Sequence, residues 1–133
     1  MSNLQALLER VEKAEGPDRV LDAAIWSAVT GHETHYPNPY MREAEGLHAY
    51  TERRGDDLSR WYPVPGLTAS IDAAVGLVER MLPGANWRLS RWDKDDFNAS
   101  IFVPQMFEAE GLKTPPLALI AALLRAMIAK EKE

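Results

Sequence analysis

Arginines and aromatic rings crowd one short stretch of the chain: Arg53, Arg54, Arg60, Trp61 and Tyr62 fall within ten positions. A guanidinium fork matches a phosphate, and a flat ring stacks on a nucleobase, so these types together suit a small phosphorylated nucleotide. The competing reading puts Trp61 and Tyr62 in the core, with arginine stems covering its rim. Trp87, Arg88, Arg91 and Trp92 repeat the mixture further on.

A second string, Gly31-His32-Glu33-Thr34-His35, offers metal ligands and a general base, with His48 as a possible third histidine. A metal-dependent hydrolase built on His32, Glu33 and His35 is the enzymatic alternative. The zinc-hydrolase pattern needs histidines four apart on a helix, whereas these are three apart just beyond a helix stop. Asp93, Asp95 and Asp96 lack the longer oxygen-ligand spacing of a calcium loop and read as a hairpin turn. There is no phosphate-loop signature, GxGxxG or GxSxG elbow, and there is no cysteine for a thiolate site or disulfide. No catalytic residue, cofactor or resident metal is therefore expected.

Charge limits the partners. Twenty acidic residues against 15 basic ones leave a net charge of −5. Affinity for a nucleic-acid polymer comes from many phosphate contacts and a basic footprint, so a polymer is disfavoured. One or two phosphates need only one or two arginines. A small nucleotide-type ligand or a host protein is expected in its place, with a homo-oligomer possible because a small domain encloses a ligand more easily at a subunit interface. The N-terminus has no basic segment leading into an apolar one, and the apolar run near Leu117 to Ala129 is too short for a bilayer. No membrane partner is expected, and the location is expected to be cytoplasmic in a bacterial host.

Elements that would position these residues follow from periodicity. With 133 residues, a single domain over 1–133 is expected: N-terminal helices over 1–30, a loop over 31–46 and a hairpin–helix–hairpin–helix core over 47–130. Leu4, Leu7, Leu8, Val11 and Ala14 mark a first helix, stopped by Gly16-Pro17. Asp18 caps a second, whose inner face holds Leu21, Ala24, Ile25, Ala28 and Val29 and which ends at Gly31. A hairpin is placed at Leu47 to Arg53 and Leu58 to Val64, turning at Gly55-Asp56. Ser70 caps a third helix with Ile71, Ala74, Val75, Val78, Met81 and Leu82 along its stripe. Strands containing Trp87 to Trp92 and Phe97 to Val103 form a second hairpin. Thr114 and Pro115 open the last helix. The two hairpins are expected to join in one four-stranded antiparallel sheet layered with helices, an α+β fold.

Three stretches carry a resemblance. LLERVEKAEGPDRVLDAAIWSAVTG, LTASIDAAVGLVERMLPGANWRL and TPPLALIAALLRAMI resemble, in this order and over about half the chain, small phage and prophage proteins with the phage ABA-sandwich domain. The resemblance implies an α/β/α layering and a phage or bacterial origin. It carries no catalytic motif onto these residues. A phage accessory protein that antagonises a host defence, by sequestering a nucleotide signal or by blocking a protein complex, is the function it suggests.

Overall fold

The computed structural model describes residues 3–35, 51–54 and 57–132; at positions 33, 35, 51–54 and 57–63 it describes the backbone alone. The elements run α1 Asn3–Lys13, α2 Arg19–Thr30, β1 Glu33–His35, β2 Thr51–Arg54, β3 Asp57–Pro63, α3 Ile71–Met81, β4 Asn86–Asp93, β5 Asp96–Val103, β6 Gln105–Leu112 and α4 Pro115–Glu131. The fold is α+β.

The expected four-stranded sheet does not form. The strands make two separate three-stranded antiparallel sheets, β1-β2-β3 and β4-β5-β6. Each hairpin takes its third strand from the chain nearest to it. After Pro104 the chain turns straight back as β6 along the free edge of β5, pairing Val103 with Gln105 and Ile101 with Phe107. Closing so short a connection costs little chain entropy, so this pairing outcompetes a distant hairpin. At the other hairpin, residues 33–35, expected in a loop, pair with β2 from Glu33↔Arg53 to His35↔Thr51. The expected turn at Gly55-Asp56 and the loop residues 36–46 lie outside the described residues.

α4 is the centre of the core. Its sequence is apolar around the whole circumference, and every residue from Pro116 to Leu124 is buried. A helix apolar on all sides must be covered on all sides. The β4-β5-β6 sheet covers one side of α4, and α1 and α3 cover the others. Facing α4 from the sheet are Ala99, Ile101, Ala109 and Leu112; facing it from the helices are Leu4, Leu7, Leu8, Val11, Ala74, Leu77 and Val78. The layers are therefore sheet, α4, then α1 with α3. No described element lies on the far side of the sheet, so the α/β/α order does not arise among the described residues.

The helix ends follow the capping chemistry of their residues. The Asp18 carboxylate accepts the Leu21 N–H at 3.1 Å, the Ser70 hydroxyl accepts that of Ala73 at 3.1 Å, and Thr114 accepts that of Leu117 at 3.4 Å. Gly31 closes α2 in the left-handed region at φ 78°. α3 is turned slightly from its expected stripe: Ile71 is 42% exposed, and Leu77 is buried in its place. The segment between β3 and α3 is tied to α2 by Arg19, which donates to the Val64 carbonyl at 2.8 Å and to Asp22 at 2.9 Å.

Candidate functional site

The β4-β5-β6 sheet has two unlike faces, because side chains alternate along a strand. On β5, Phe97, Ala99, Ile101 and Val103 pack towards α4, while Asn98, Ser100 and Phe102 point the other way. The register carries this alternation to both neighbours. Asn86 and Met106 flank Phe102; Arg88 and Glu108 flank Ser100; Ser90 lies opposite Asn98. The outward set lines an open trough of about 410 Å³, which also takes in Trp92 and Glu110.

Much of this face is apolar and in solvent. Trp92 is 73% exposed, Met106 57% and Phe102 49%, the last directly beside the fully buried Ile101. Among the described residues Arg88, Glu108 and Glu110 have no ion-pair partner. At the far end, one extra residue enters β6 between the pairs Ala99↔Ala109 and Phe97↔Leu112. Gly111 takes up this bulge at φ 75°, and its N–H donates to Asn98 Oδ1 at 2.9 Å. A second hollow, formed by Trp92, Asp96, Asn98, Glu110 and Gly111, adjoins the trough there. Aromatic and thioether surface between unpaired charges can hold another protein surface; its two carboxylates against one guanidinium would oppose a phosphate.

Of the positions picked out in the sequence, Arg88 and Trp92 lie on this face, and the five assigned to a nucleotide fall elsewhere. Arg53 and Arg54 are on β2, and Arg60, Trp61 and Tyr62 on β3. These strands are hydrogen-bonded neighbours, so the five positions share one antiparallel ladder, with Arg53 paired to Glu33 and Tyr62 to Glu52. Their side chains lie outside the described residues, as do those of Glu33 and His35 and all of His48. His32 stands edge-on to Trp26 at the end of α2, with ring centroids 6.1 Å apart. The guanidinium of Arg80 lies 5.1 Å from the Trp26 ring, so this indole is held in packing between two elements. Among the described residues no group of three or more His, Asp or Glu could hold a metal ion, and no helix is long and apolar enough to cross a membrane.

Met106, Glu108 and Glu110 were not singled out in the sequence reading. The signal was there in the alternation of residues 105–110, where Phe107 and Ala109 take the inner positions. Gly111 and the bulge interrupt that alternation after three pairs.

No protein-family model and no curated protein matches the chain. Among solved structures it is similar to a phage protein from Bacillus cereus ATCC 14579, with a TM-score of 0.58 and 19% sequence identity over 86% of this chain and 94% of that one. The likeness spans nearly the whole of both chains, and what it shows is a shared fold.

Proposed function

We propose that this chain is a binding protein that acts by docking and not by turnover, and that the open face of the β4-β5-β6 sheet receives a protein partner. One observation carries the reading: the sheet's inner face is packed against α4, while its outer face offers Trp92, Phe102 and Met106 to solvent with no described element above them. Exposed apolar surface rimmed by charge is characteristic of interaction sites. The fold shared with the Bacillus cereus phage protein supports setting this activity in a phage context.

The test is a photo-cross-linking residue at position 102, irradiated in bacterial cytosol, with Val20, 53% exposed on α2, as the control position. A covalent adduct with an identified protein at 102 and none at 20 is the expected result. Absence of any adduct at 102 would remove the reading.

A second reading is favoured by the pairing of β2 with β3, which brings Arg53, Arg54, Arg60, Trp61 and Tyr62 onto neighbouring strands. It assigns this ladder a small phosphorylated nucleotide, with the guanidinium groups on phosphate and a ring on the base. Thermal shift against cyclic di- and trinucleotides, ADP-ribose derivatives and mononucleotides tests it, since a ligand raises the melting temperature with the logarithm of its concentration over Kd. An Arg53→Ala, Arg54→Ala variant should lose the shift and keep its own melting temperature.

A further inference from the structure

Two of the three charges on the open face, Arg88 and Glu108, are arranged in a self-complementary way. Arg88 on β4, Ser100 on β5 and Glu108 on β6 are register partners and form one row across the sheet. The positive end of the row is on one edge strand and the negative end on the other. With strands about 4.8 Å apart, the two charges lie one strand spacing to either side of Ser100.

We infer that the protein occupying this face is a second copy of this chain, related by a two-fold axis that runs parallel to β5 between the two sheets. This rests on the docking reading above and names its partner. Such an axis preserves position along the strands and exchanges left for right. It therefore sets Arg88 over Glu108 of the second copy and Glu108 over its Arg88, so that one operation forms the pair twice and satisfies each charge once. The other in-plane axis, perpendicular to the strands, would place Arg88 on Arg88 and Glu108 on Glu108. The charge pattern selects between them. Packed sheets usually cross at about 30°, which moves positions one strand spacing from the axis by only roughly 2–3 Å, within the reach of Arg and Glu side chains.

The same operation finds places for the apolar groups. Phe102, on the axial strand, meets Phe102 of the second copy. Trp92 crosses to the β6 side of the second copy, over its hollow at Glu110 and Gly111. Gly111 lacks a side chain, and a Cβ placed there would have nothing within 4 Å, so an indole can approach the backbone at this point. Three eight-residue strands make a face of about 26 by 14 Å. That is roughly 360 Å² per copy, below the standard size of specific interfaces, so weak association, no tighter than the micromolar range, is expected, in contrast to an obligate dimer.

Sedimentation equilibrium of the intact chain tests the inference. Wild type should pass from monomer to dimer over the micromolar range. Arg88→Glu alone puts Glu opposite Glu108, and Glu108→Arg alone puts Arg opposite Arg88. Each should weaken the dimer at least tenfold while leaving the thermal melt of the dilute, monomeric protein unchanged, both positions being exposed. An equimolar mixture of the two single variants should form a heterodimer, and the double variant R88E/E108R should dimerise with itself. A monomeric wild type at high micromolar concentration, single variants that assemble as wild type does, or a mixture that stays monomeric would each overturn it. The adduct at position 102 separates this inference from the docking reading. A product of twice the chain's mass supports both, a foreign protein overturns self-association alone, and no product overturns both.

Discussion

Asp22 and Thr68 are 46 positions apart in the chain, yet one carboxylate oxygen of Asp22 accepts both the Thr68 N–H, at 2.8 Å, and the Thr68 hydroxyl, at 2.7 Å. Both residues are fully buried. The other carboxylate oxygen takes Arg19, and the Thr68 hydroxyl oxygen accepts the Asp18 N–H at 2.8 Å. The start of α2 and the approach to α3 are thus one polar unit, buried at Asp22 and Thr68 and open to solvent at Asp18 and Arg19. Removing Asp22 strands the buried Thr68 N–H without water. Asp22→Ala should therefore cost about 3–5 kcal/mol, because it takes the counter-charge from a partly buried guanidinium and the acceptor from the buried Thr68 N–H. Thr68→Val, which removes one hydroxyl and keeps the N–H bond, should cost less, about 1–3 kcal/mol. Urea unfolding measures both, and equal losses would show that the carboxylate is not the hub.

The bulge in β6 makes a second prediction. Gly111→Ala should destabilise the protein by about 1–2 kcal/mol, through backbone conformation alone, since its φ of 75° disfavours a Cβ that would otherwise have free space. Asn98→Ala removes the side chain that accepts the Gly111 N–H. At this exposed position water replaces it, so a smaller loss, under about 1 kcal/mol, is expected from the same unfolding curves.

Neighbouring positions on β5 should respond in opposite ways. Ile101 is buried under α4, and Phe102 faces solvent. Ile101→Ser creates a cavity and buries a hydroxyl, for an expected loss of about 3–5 kcal/mol. Phe102→Ser should stay within about 0.5 kcal/mol of wild type when measured on dilute, monomeric protein. A large loss at Phe102 under those conditions would mean that a part of the chain itself covers this face.

On α4, Leu123→Ala should cost about 2–5 kcal/mol, the range for emptying a closed core site. Arg125 sits next but one along the same helix, pairing with Glu12 of α1 at 2.8 Å with both side chains well exposed. Arg125→Ala should cost less than about 1 kcal/mol and should become harder to detect as salt is raised.

Local chemistry is written plainly in this chain. Asp18, Ser70 and Thr114 have the right side chains to cap a helix, Gly31 can enter the left-handed region, and Leu4, Leu7, Leu8 and Val11 recur at helical spacing. Each depends on groups within a few residues, so each was legible without the tertiary structure. The inner and outer sets of β5 were legible for the same reason, since period-two alternation is a property of the strand itself. The partners of the strands were not. That β6 rather than the first hairpin completes the sheet depends on which free edge is closest once Pro104 has turned the chain, and the Gly111 bulge hides β6 from a simple alternation count. Nor could sequence spacing show that Arg88 and Glu108, 20 positions apart, lie in one row on one face. That row exists because two registers meet at Ser100, and the face is open because α4, apolar on every side, covers only the opposite one.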